Sequence, residues 1–111
     1  TTINNNFDYN EEYDPQTNSW LVKEPMPTAR IWHIIGVANN MIYVMGGTLN
    51  GTTTYFDLNE AYNPATNSWE TKESMPAERV GFAIGVANNK IYAIGGGNAS
   101  GYVVAVWEYT P

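Results

Sequence analysis

The sequence predicts an all-β chain built from four-stranded antiparallel meanders. Three observations predict it. The first is an internal repeat: Tyr13–Gly47 recurs as Tyr62–Gly96, with Trp20 and Trp69, Arg30 and Arg79, and Gly47 and Gly96 each 49 residues apart. Of the 35 aligned positions, 21 are identical. A period of about 50 residues marks a repeat architecture. The second is a set of short apolar or aromatic runs separated by turn formers, the pattern of strands and hairpins. The third is that no segment sustains a helical period.

The elements follow in order. Residues 1–6 form a polar arm. Phe7–Tyr13 is a strand ending at Asp14-Pro15-Gln16-Thr17-Asn18-Ser19, a cluster of turn residues. Trp20 opens the next strand. Glu24-Pro25-Met26-Pro27 interrupts it, because proline has no N–H for a ladder. Ile31–Ala38 is almost wholly apolar and suits a strand buried on both faces. Asn39-Asn40 tolerates positive φ and suits a tight hairpin. Met41–Met45 returns and closes at Gly46-Gly47. Naming one unit A (Ile31–Ala38), B (Met41–Met45), C (Thr53–Tyr62) and D (Trp69–Lys72), the chain runs C-D, A-B-C-D, A-B-C. Val80–Ala87 and Lys90–Ile94 are the last A and B, and Tyr102–Tyr109 the last C. The expected units are 7–29, a C-D pair; 30–72, a complete unit; and 73–111, an A-B-C unit.

Composition excludes several classes. The chain has 111 residues, 43% hydrophobic and 14% aromatic, which is unlike a disordered acidic segment. The net charge of −6 argues against nucleic acid, whose phosphates call for clustered Lys and Arg. No apolar run approaches the roughly 20 residues of a membrane-spanning helix. With no Cys there is no disulfide and no thiolate nucleophile or ligand. A single His, His33, gives no basis for a metal site or a catalytic dyad, and no cofactor is expected. Thr1 in place of Met fits removal of a leader or an upstream domain. Many Asn and few Lys lean towards a secreted or surface protein.

The units resemble kelch repeats. The resemblance rests on the apolar strand ending in Gly-Gly (Gly46-Gly47, Gly95-Gly96), the Tyr seven residues before Trp (Tyr13/Trp20, Tyr62/Trp69), and Met-Pro-x-x-Arg before strand A (Met26–Arg30, Met75–Arg79). It covers residues 7–111. It implies β-propeller blades, one four-stranded blade per repeat, with Tyr109 as a third copy of the conserved Tyr. Propellers close with about 4–8 blades, and this chain holds about two. The remaining blades come either from a longer chain or from further copies. Three copies, with Trp20–Lys23 of one completing the A-B-C sheet of another, would give about six. One C strand per junction would be surplus.

The residues facing partners are expected in the D–A and B–C connections, which share one end of every blade. Arg30, Arg79, Asn50, Asn98 and Ser100 fall there, with Trp32 and His33 where the two repeats diverge to Gly81 and Phe82. Each Arg has two readings: a structural ion pair to Glu24, Glu73 or Glu78, or bidentate recognition of a carboxylate on a peptide or a sugar. Three functions follow from the resemblance. The first is a protein-interaction or assembly module without chemistry of its own. The second is part of a sugar-binding or sugar-isomerising kelch enzyme. The third is a fragment or engineered repeat that self-assembles. Copper-radical sugar oxidases with kelch-like propellers need Cys and more than one His, so that activity is excluded for this segment.

Overall fold

A computed structural model describes residues 7–49 and 54–111. The first sheet is a hairpin of β1 (Glu11–Asp14) and β2 (Ser19–Val22). The second is a full meander, β3 (Ile34–Ala38), β4 (Met41–Met45), β5 (Asn59–Asn63) and β6 (Ser68–Thr71), paired in chain order. The third pairs β7 (Ala83–Ala87), β8 (Lys90–Ile94) and β11 (Val106–Tyr109) in the order β11-β8-β7. All pairings are antiparallel. A minor hairpin, β9 (Gly97–Asn98) with β10 (Gly101–Tyr102), projects from the third sheet.

Local chemistry sets the turns. Asn39 and Asn40 hold φ of 50° and 58°, and Asn88 and Asn89 hold 50° and 60°. Two consecutive positive φ values define the hairpin turn whose twist matches that of its strands. Asn18 and Asn67, at 51° and 50°, close the two C–D turns. Each also accepts the hydroxyl of its repeated Tyr, at 2.7 Å from Tyr13 and 2.8 Å from Tyr62. Across these hairpins Tyr13 opposes Trp20 and Tyr62 opposes Trp69, with ring centroids 5.1 Å apart in both. Gly46, Gly47, Gly95 and Gly96 all have positive φ, and a Cβ at Gly96 would lie 2.6 Å from the carbonyl oxygen of Val80. The Gly-Gly pair therefore ends strand B where another chain segment crosses it closely.

Every C strand is shorter than the sequence predicts. Phe7–Tyr13 becomes β1 at Glu11–Asp14, Thr53–Tyr62 becomes β5 at Asn59–Asn63, and Tyr102–Tyr109 divides into β10 and β11. The reason is competition for the backbone. Phe7 and Asp8 accept from Arg30 and Met26, and Phe56 and Asp57 accept from Arg79 and Met75. The first half of each of the first two C segments thus binds the passing D–A connection, while in the third Ala105 accepts from the Gly95 amide and the Val103 amide donates to the Gly96 carbonyl. Strand A likewise starts at Ile34 and Ala83, because Trp32 and Gly81 take φ of 59° and 62° just before it. Strand A was expected to be buried on both faces. In β3, Ile35 and Val37 are exposed, because no blade covers that face among the described residues.

The core lies between the second and third sheets. Tyr43, Met45, Ala61, Phe82, Ile91 and Ala93 form it, with Ile84, Trp107 and Tyr109 packed against it. Gly36 admits the close approach: a Cβ there would lie 2.9 Å from Cγ2 of Ile84.

Candidate functional site

The D–A and B–C connections meet at one end of the blades. Ile31 bridges Thr48, Thr48 bridges Tyr55, and Val80 bridges Gly97. Asn98 Nδ2 donates to the Glu78 carbonyl at 3.2 Å, and Asn98 Oδ1 accepts from the Ser100 amide at 2.9 Å. The structure therefore gathers Arg79, Asn98 and Ser100 in one region, and Arg30, Trp32 and His33 in the corresponding region of the preceding unit. Asn50 lies outside the described residues.

The two arginines are equivalent in sequence but differently housed. Arg30 is 1% exposed. Its Nη1 pairs with Glu60 Oε1 at 2.9 Å, and its Nη2 donates to the Val44 carbonyl at 3.0 Å. Glu60, 3% exposed, also accepts from Thr28 Oγ1 at 2.9 Å. The partner is thus a residue of β5 and not Glu24, Glu73 or Glu78. Burial pulls the Arg30 pKa below its usual value, while Glu60 opposes that shift. Arg79 is 0% exposed and has no carboxylate partner among the described residues. Its guanidinium carbon lies 3.8 Å from the ring centroid of Trp107 and 5.6 Å from that of Phe82. Its Nη2 donates to the Ala105 carbonyl at 3.2 Å, while Nε and Nη1 lack a partner. Trp107 stands 47 residues after Glu60, the same offset as Tyr109 from Tyr62. One blade therefore holds its arginine by an ion pair and the other by a cation–π stack.

His33 is half-buried beside Arg30, and its Nδ1 lacks a hydrogen-bond partner. Burial lowers its pKa below the ordinary 6.5, and the Arg30 charge pushes the same way. Trp32 differs from its neighbours in being 59% exposed with a φ of 59°. A bulky residue in the left-handed region carries a cost of about 1–2 kcal/mol. The second repeat puts glycine, Gly81, at the same place and the same φ, where a side chain would meet nothing within 4 Å. That alignment of Trp32 with Gly81 was the one sequence signal for the unusual backbone. Among the described residues no group of three His, Cys, Asp or Glu is placed to hold a metal, and no helix could cross a membrane.

Trp69 is half-buried, and its Nε1 donates to the Glu24 carbonyl at 2.9 Å. Trp20, its repeat equivalent, is 65% exposed. No preceding blade among the described residues offers it the same surface.

A four-stranded antiparallel meander packed against a three-stranded one, with Gly-Gly ends and a buried Arg at each D–A connection, has the form of β-propeller blades. The chain belongs to the kelch family: the kelch motif matches residues 35–76 and 78–111. It is 40% identical over 45 residues to Kelch-like protein 24 of Rattus norvegicus and to that of Mus musculus. Each match covers 40% of this chain and 8% of the relative. The solved structure of YjhT is similar, with a TM-score of 0.69 and 26% identity, over 81% of this chain and 28% of that one. The chain thus spans only a small part of the curated relatives it matches.

Proposed function

We propose that this chain is a kelch protein-interaction module that contacts its partner through the end of the blades bearing the D–A and B–C connections, with Trp32 as the anchor. The observation that carries the reading is the φ of 59° at an exposed tryptophan where the sister repeat has glycine. Backbone strain of this kind concentrates at functional positions. Tryptophan is also a frequent interface anchor. The net charge of −6 favours a basic partner segment, with Lys or Arg stacking on the indole face.

The burial of Arg30 and Arg79 weighs against the sugar-carboxylate reading, because both guanidinium groups are engaged inside the blade. The test is selection of binders from a displayed library of Lys- and Arg-rich peptides, followed by titration against Trp32→Gly. Selected peptides should lose at least about tenfold in affinity, as expected when an aromatic anchor worth ~1.4 kcal/mol or more is removed. Peptides that bind the variant as well as the original chain would refute the assignment.

A further inference from the structure

The B–C connection of the last unit carries a feature that neither the blade packing nor the Trp32 contact uses. Asn98-Ala99-Ser100 matches Asn-x-Ser/Thr with x other than Pro, the acceptor pattern for N-linked glycans. Asn is frequent in this chain, and such triplets arise by chance; placement separates an acceptor from a bystander. The other triplet of this kind begins at Asn50, outside the described residues.

The placement is that of an accessible tip. Asn98 ends β9, Gly101 opens β10, and the two pair across a loop of Ala99 and Ser100 alone. Ala99, Ser100 and Gly101 are exposed, and Tyr102 is 100% exposed. The hairpin pairs only two residues a side. Short exposed ladders open at small cost in free energy, so a transferase can draw the triplet into its own cleft without unfolding a blade.

The Asn98 side chain suits the chemistry. Its Oδ1 accepts from the Ser100 amide at 2.9 Å, which turns the side chain towards the third residue of the triplet. Its Nδ2 donates to the Glu78 carbonyl at 3.2 Å, the long end of the N–H···O range. A primary amide nitrogen carries two hydrogens, and Nδ2 makes this one bond among the described residues. Glycosylation replaces one hydrogen and leaves the other, so the bond to Glu78 survives modification.

We infer that Asn98 is an acceptor for an N-linked glycan, with a lipid-linked oligosaccharide as donor. In the transfer step Nδ2 forms a bond to C1 of the oligosaccharide, and the bond from C1 to the lipid pyrophosphate oxygen breaks. The pyrophosphate leaves with the electron pair, and one Nδ2 proton passes to a base of the transferase. The glycan then projects from the end of the blades that bears Trp32, in the following unit. The inference does not depend on Trp32 binding a partner.

The test presents the folded, purified chain to a eukaryotic oligosaccharyltransferase with a lipid-linked oligosaccharide. An Asn50→Gln background leaves a single acceptor triplet. Intact-mass measurement should show the chain heavier by one oligosaccharide, which peptide N-glycosidase should release. Asn98→Gln and Ser100→Ala should each abolish the gain, while Ser100→Thr, which keeps the hydroxyl, should retain it. A folded chain that gains no glycan, or a gain that persists in Asn98→Gln, would overturn the inference. So would modification of the urea-unfolded chain but not of the folded one, since the hairpin would then withhold the triplet. Should Asn98→Gln misfold by circular dichroism, the comparison of Ser100→Ala with Ser100→Thr decides: equal modification of both refutes the assignment.

Discussion

Glu60→Gln removes one charge from inside the middle blade and keeps its shape. Arg30 and Glu60 are 1% and 3% exposed, and Arg30 Nη1 meets Glu60 Oε1 at 2.9 Å. The variant leaves the guanidinium buried and charged with only neutral acceptors, the Val44 carbonyl and the amide oxygen introduced at position 60. Leaving one partner of a buried pair uncompensated costs about 3–5 kcal/mol. A domain of this size holds about 5–15 kcal/mol in all. Each kcal/mol moves Tm by about 4–8 °C, so melting should fall by more than about 12 °C. The assay is thermal and urea unfolding followed by near-ultraviolet circular dichroism at fixed protein concentration. The control is the double variant Arg30→Met with Glu60→Leu. It removes both charges, and such replacements are often neutral or better, so it should recover most of the loss. A cost under about 1 kcal/mol for Glu60→Gln would refute the reasoning. So would a double variant as unstable as the single one, since the buried uncompensated charge would then not be the cause.

Trp69→Ala should destabilise by about 3 kcal/mol, since the indole packs beside the first sheet and bonds the Glu24 carbonyl. Trp20→Ala, at an exposed position, should cost under about 1 kcal/mol in the monomer; paired urea titrations compare the two. His33 has its folded pKa pushed below the ordinary 6.5, so the unfolded chain binds the extra proton first as pH falls. The His33 contribution is therefore complete above about pH 6.5 and declines below it. The His33→Phe variant, matching Phe82 in the sister repeat, should lose less stability between pH 7.5 and pH 5 than the original chain; equal losses in both would remove His33 as the cause.

The architecture was legible because its signals are local and occur twice. The Asn pairs, the Tyr–Trp spacing and the Gly-Gly ends each encode one turn or one cross-strand contact, and the 49-residue offset places them in register. The strand bounds were less legible. The first halves of the first two C segments carry aromatic residues that suit a strand, yet their carbonyls serve the D–A connection that crosses them. No local pattern announces that competition. The site was legible only in part. The divergence of Trp32-His33 from Gly81-Phe82 singled out the stretch proposed here as the contact site, and the glycine hinted at the backbone required there. The environments of the arginines were hidden. Arg30 finds its partner 30 residues away on β5, and the equivalent of that glutamate in the last blade is a tryptophan.

By itself the sequence determined the repeat, the all-β class, the order of strands and the turn chemistry. Each of these depends on residues within a few positions of one another, or on a spacing that the repeat displays twice. Tertiary structure alone decided which charges are buried and which aromatic residues reach solvent. These properties depend on what stands across from a residue in space. Trp20 and Trp69, identical in local sequence context, differ in this way: Trp69 is half-buried with its Nε1 on the Glu24 carbonyl, and Trp20 is 65% exposed.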